Sequence, residues 1–196
     1  MDRETAEAHA LDAAEELFYS RGIQAVGMDD IRNASGVSLK RLYQLFPAKE
    51  QLVTDRDEQI QDRLCDLIRS RPPAITPAAA IRDFILKSVT GIRSIPPELW
   101  HGELGYLAAI SPTVHRLALE LTDRQASALA TAISDSTAVA PEIAKLEGMA
   151  LASVFQIIIT EVGRRAREGQ SQKKIADELH PMIERVLDEL DRWLSH

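Results

Sequence analysis

The stretch from Met28 to Lys49, MDDIRNASGVSLKRLYQLFPAK, decides the fold. It has the pattern of two short helices around a tight turn. Ile31 and Ala34 give the first helix an apolar face, and Asp29 and Asp30 stand near its start, where carboxylates complement the helix dipole. Gly36 falls where a left-handed residue ends a helix, Val37 is an apolar residue to bury, and Ser38 is placed to cap the second helix. On a wheel started at Ser38, Leu42, Leu45 and Phe46 cluster on one side and Lys40, Tyr43 and Gln44 on the other, with Leu39 and Arg41 on the flanks. Pro47 stops the helix, because the residue before a proline is pushed out of the α region.

The charge of this hairpin is unusual. A first helical turn favours acids, yet this one carries Lys40 and Arg41, and each misplaced cation costs about 0.3–1 kcal/mol. Between Asp30 and Glu50 there is no acidic residue, while Arg32, Lys40, Arg41 and Lys49 are basic. The window is therefore +4 inside a chain of −7, which leaves −11 for everything else. A local positive charge in an acidic chain points to phosphate. Two helices around a glycine turn, the second presenting basic and polar groups, form the pattern of a DNA-reading helix-turn-helix. The same features also fit a buried helical hairpin with a solvated basic face.

Outside the hairpin the pattern remains helical. Ala10, Leu11, Ala14, Leu17 and Phe18 recur at helical spacing over residues 4–20, a face suited to pack on Ile31, Leu42 and Phe46. Together Leu11-Asp12-Ala13-Ala14-Glu15-Glu16-Leu17-Phe18, Arg21-Gly22, Asp30-Ile31, Ala34, Gly36-Val37-Ser38, Leu42-Tyr43 and Phe46-Pro47-Ala48-Lys49-Glu50 resemble the N-terminal domain of TetR-type regulators over roughly residues 5–55. The resemblance implies phosphate contacts from Tyr43 and Lys49, a dimer, and a ligand-responsive regulator, more commonly a repressor. There are departures. Gly27 stands where the family usually has a capping Thr or Ser, Lys40 and Arg41 replace a Gly and a small residue, and Leu45 replaces an aromatic or His. The operator is therefore not inherited by analogy.

Downstream, prolines punctuate the chain. A long helix is expected from Pro47 to Ser70, with Leu52, Ile60, Leu64, Leu67 and Ile68 on its buried side, stopped by Pro72-Pro73. Thr76-Pro77 opens another helix, carrying Ile81, Phe84, Ile85, Ile92 and Ile95 and closed by Pro96-Pro97. A short helix from Glu98 to Ala109, loosened by Gly102 and Gly105, precedes one opened by Ser111-Pro112 that runs to about Ser134. Pro141 opens a helix reaching Glu168, apolar nearly all round from Met149 to Ile159 and so expected to be buried on several sides. The last segment, Ser171 to Leu194, aligns Ile175, Leu179, Met182, Ile183, Val186, Leu187, Leu190, Trp193 and Leu194, with Pro181 expected to kink or split it.

The expected fold is all-α. A three-helix helix-turn-helix domain over residues 1–50 is followed by a larger helical ligand-binding and dimerisation domain over 51–196. The apolar helices over about 141–195 ask for a second copy, giving a homodimer. In the middle helices Trp100, His101, Glu103, Tyr106, His115 and Arg116 introduce aromatic and polar groups. Cys65, Phe84, Trp100, His101, Tyr106, His115 and Phe155 are the effector-pocket candidates. Cys65 is also the lone cysteine, which excludes an intramolecular disulfide or a cysteine-cluster metal site and suits a small core residue. No cofactor is implied.

Enzymatic motifs are missing: His101-Gly102-Glu103 lacks the cysteine pair of a zinc deaminase, and no glycine-rich phosphate loop, Gly-x-Ser-x-Gly or His-Glu-x-x-His occurs. With no signal segment at the N-terminus and no apolar run near 18 residues, a soluble cytoplasmic protein is expected. The expected function is a DNA-binding transcriptional regulator, a repressor released by a small-molecule effector. Arg32, Ser38, Leu39, Lys40, Arg41, Tyr43, Gln44 and Lys49 form its DNA surface. The alternative is a helical small-molecule-binding protein or enzyme that does not act on DNA.

Overall fold

The computed structural model describes residues 2–54, 57–95 and 104–195, except for the side chains of 19, 53, 54 and 57–59. Among them no strand occurs. The helices are α1 (Arg3–Arg21), α2 (Met28–Ser35), α3 (Leu39–Leu45), α4 (Gln51–Thr54), α5 (Asp57–Arg69), α6 (Pro77–Gly91), α7 (Leu104–Ile110), α8 (Pro112–Ser136), α9 (Pro141–Arg167) and α10 (Gln172–Leu194).

Hydroxyl and carboxylate caps set most of the starts. Asp2, Ser38, Thr76, Ser111 and Ser171 each accept from a backbone N–H three residues on, which satisfies one of the donors that a helix start leaves open. Proline follows the cap directly in α6, α8 and α9. Residues 47–50 form a turn rather than the first turn of the next helix: Gln51 N–H reaches Ala48 O and Leu52 N–H reaches Lys49 O, both at 3.1 Å. Helix α6 ends at Gly91 and tightens into a 3-10 turn at Ile92–Ser94, so it stops before the proline pair. Pro181 does not split α10, which runs through it.

Two apolar clusters form, and they meet. The first joins α1, α2 and α3 through Ala10, Ala14, Phe18, Ile31, Leu42 and Phe46. It is completed from outside the hairpin by Leu107 and Ala108 of α7 and by Val114 and Ala118 of α8. The second joins α5, α6, α8, α9 and α10 around Leu64, Ile81, Ile85, Leu129, Leu151 and Leu179. Tyr106 packs against both clusters. Ala34, expected on the buried face of α2, is exposed.

Close approach of α9 to α8 and α7 depends on glycine. A Cβ at Gly148 would stand 2.5 Å from Ala126 O, and one at Gly163 would stand 2.4 Å from Gly105 O. Gly105 is therefore a packing residue beneath α9, not a loosening of α7 as its sequence context suggests. The seam of α10 is taken up by the chain's own α6: Ile175, Leu179, Ile183 and Leu187 are buried, and Leu190 and Leu194 pack on the same core. Trp193, expected on that seam, is 46% exposed. Arg82 ties the two helices at their surface, 2.6 Å from Asp188 and 3.3 Å from Glu184.

Helix α9 is long and apolar enough to cross a membrane by length and composition, a property the sequence reading of apolar runs understates. Within the chain only 28% of its most apolar window is buried. Leu151, Ala152 and Val154 are buried and residues 155–159 partly so, whereas Ile143, Leu146 and Met149 form an exposed face, Met149 by 54%.

Candidate nucleic-acid interface and an apolar cavity

The turn of the hairpin is built as its sequence indicates. Gly36 has φ 69°, in the left-handed region that glycine enters without a Cβ clash, and its N–H closes α2 on Arg32 O at 3.0 Å. Val37 is fully buried, which pins the turn to the core. Ser38 Oγ then accepts from Arg41 N–H at 3.4 Å and starts α3. At the head of α2, Gly27 offers no side chain to cap the helix. Asp30 supplies the reciprocal contact, its Oδ2 accepting from Gly27 N–H at 2.8 Å, and Arg21 Nη1 lies 3.4 Å from its other oxygen.

With Leu42 and Phe46 buried, α3 turns Lys40, Tyr43 and Gln44 outward; Tyr43 is 51% exposed. Arg41 is half-buried on the flank, and Leu39 is half-buried against the hairpin core. Arg32 lies 3.4 Å from Asp29 in an exposed pair, an interaction weak enough to exchange for phosphate. Lys49 is held differently. Its Nζ donates to Ile23 O and Val26 O, both at 2.7 Å, which ties the turn after α3 to the α1–α2 connection. An ammonium has three donors, so one remains.

A cavity of about 220 Å³ lies between α5, α6, α7, α8 and α9. Phe84, Leu121, Phe155, Ile158, Ile159 and Val162 supply most of its apolar wall. Among the described residues no charged side chain lines it, and the polar groups are Ser88, Thr122 and Gln125. Ser88 Oγ is turned back to Phe84 O at 2.9 Å. Thr122 Oγ1 sits 2.9 Å from Ala118 O and 3.0 Å from Gln156 Oε1. Gln125 is 6% exposed, the one buried polar residue among those described.

Of the sequence candidates, Phe84 and Phe155 line this cavity. Trp100, His101 and Glu103 lie outside the described residues. Cys65 does not reach the cavity but sits in the core, where burial pushes its thiol pKa up and keeps it protonated. Tyr106, on α7, is turned to the junction of the two clusters. His115 is exposed at a separate groove with Arg164 and Arg167, because Val114 and Ala118 take the buried face of α8 there, and Arg116 is exposed as well. Gln125 was missed by the sequence reading. Its signal was a carboxamide at a core position of α8, in register with Leu121 and Leu129.

Residues 10–55 match the profile of bacterial regulatory proteins of the tetR family. That segment, which holds most of α1 and the hairpin, is a TetR-type DNA-binding domain. Solved structures of similar fold span essentially its whole length. A TetR transcriptional regulator from Rhodococcus sp. RHA1 is 20% identical, with all of both chains covered and a TM-score of 0.61. The TetR-family repressor AlkX from Dietzia sp., implicated in biodegradation of n-alkanes, is 21% identical over 95% of this chain and 100% of its own, with a TM-score of 0.59. NalD, the secondary repressor of the MexAB-OprM multidrug efflux pump in Pseudomonas aeruginosa, is 18% identical over 94% and 97%, with a TM-score of 0.51. At these identities the likeness establishes the fold. No curated protein matches the chain in sequence. The match with a regulatory family over these residues favours the helix-turn-helix reading of the hairpin over a buried hairpin with a solvated basic face.

Proposed function

We propose that the protein is a homodimeric repressor whose operator binding is relieved by a small molecule held in the α5–α9 cavity, and that it acts in the cytoplasm. Residues 1–50 form the reading head and 51–196 the sensing and assembly body. Lys40, Arg41 and Gln44 face base edges, where Lys or Arg meets guanine and Gln meets adenine. Tyr43, Arg32 and the spare donor of Lys49 meet phosphates, and Ser38 and Leu39 fix the start of α3 against the core. The exposed face of α9, with Ile143, Leu146 and Met149, takes the second copy, as two heads on paired half-sites require. No enzymatic role is included.

One observation carries the coupling between sensing and reading. Leu104 and Gly105 of α7 line the cavity, while Leu107 and Ala108 of the same helix are part of the hairpin's core. A ligand that repositions α7 therefore shifts a wall of the reading head. The heads of a dimer must remain roughly 34 Å apart, or a multiple of a helical turn, so a small displacement breaks register. Effector and operator then bind antagonistically, with reciprocal coupling of about 1–3 kcal/mol. The test is to sequence the DNA fragments that the purified protein retains, then titrate one with and without a cavity ligand. Weaker operator binding at saturating ligand is expected. Unchanged affinity would leave a DNA-binding protein that does not sense.

A further inference from the structure

The lining of the cavity restricts what it can hold. Gln125 is 94% buried by its 6% exposure, lines the cavity, and has no hydrogen-bond partner among the described residues. Its carboxamide opens onto the cavity rather than being sealed off, and it offers two donors and an acceptor to whatever occupies that space. Thr122 lies one turn before it on the same wall, and its hydroxyl oxygen can accept a further bond. Phe155, Ile158 and Ile159 of α9 and Phe84 of α6 supply apolar lining. No described side chain offers a countercharge, so an ionised ligand would be desolvated without compensation. The volume of about 220 Å³ exceeds the roughly 150 Å³ that holds a benzene and falls below the roughly 300 Å³ at which drug-sized sites begin.

We propose that the cavity binds a small, uncharged, mainly hydrocarbon molecule, aromatic or branched, carrying a single hydroxyl or carbonyl that pairs with the Gln125 carboxamide. This rests on the cavity being the effector site, but it concerns recognition alone. It can therefore be measured without DNA.

Three probes of similar size separate the contributions: p-cresol has the ring and a hydroxyl, toluene the ring alone, and benzoate the ring with a charge. Calorimetry on the full-length protein is expected to rank p-cresol above toluene by about five- to tenfold, the worth of one hydrogen bond, with benzoate weakest. In Gln125→Leu the preference for p-cresol over toluene should vanish or reverse, since the buried partner is gone. Gln125→Met serves the same end if the leucine variant does not fold. Benzoate binding as tightly as p-cresol, an unchanged preference in the folded variant, or no binding of any probe at millimolar concentration would each overturn the proposal. The predicted ranking with unchanged operator affinity would instead sink only the sensing role of the cavity.

Discussion

Side chains in the hairpin that look alike in sequence do different work. Lys40 and Lys49 both lie in the basic window, but only Lys49 has its ammonium bonded to two backbone carbonyls. Removing it strips two carbonyls of a charged donor, each such bond being worth about 1.5–3 kcal/mol before solvent exposure reduces it. Lys49→Ala should therefore lower the melting temperature of the DNA-free protein, besides weakening all DNA sequences alike and flattening the salt slope by about 1. Gln44→Ala should leave the melting temperature alone and relax base preference at one position by about 1–3 kcal/mol. Thermal unfolding alongside binding to a panel of operator variants separates the two. Identical behaviour of both variants would refute the roles. The sequence makes both positions candidates for the DNA surface. It could not show that a lysine 26 residues beyond Ile23 folds back onto it, because that contact exists only once α1, α2 and α3 have packed.

At the scale of helices, the caps, prolines and apolar periodicity placed almost every element, because these signals are local. What periodicity could not tell is which neighbour an apolar face meets. The seam of α10 and the apolar run of α9 look equally sticky in sequence, yet α6 covers the first and the second stays partly open. Leu146→Glu should consequently give a helical monomer with weakened operator binding, since one copy leaves that position in water. Leu190→Glu should damage the fold itself. Sedimentation and circular dichroism distinguish these outcomes, and a Leu146→Glu protein that still sediments as a dimer would move the interface elsewhere. The glycines of α9 were equally silent in sequence. Gly148→Ala would press a methyl onto Ala126 O and should destabilise the protein by about 1–3 kcal/mol, as read by chemical denaturation.

Across the whole molecule, the helix-turn-helix pattern was legible in the sequence, whereas of the pocket candidates only Phe84 and Phe155 line the cavity and Gln125 was not among them. Aromatic and histidine residues drew attention because they are conspicuous. The group that the folded cavity leaves unpaired is a glutamine that a linear reading assigns to the body of an ordinary helix.

The shared core has a further consequence. Leu107, Ala108, Val114 and Ala118 finish a hydrophobic cluster that the first three helices begin, so the head is not a self-sufficient module. A fragment of residues 1–54 would face water with the surface those four residues cover, and it should show little cooperative unfolding by heat. A sharp native-like transition in that fragment would contradict this. Grafting the head onto the body of another regulator therefore demands more than a clean cut in the α3–α4 turn. The recipient must bring a matching wall, and heads can be exchanged only among bodies whose seventh and eighth helices present the same small and branched residues.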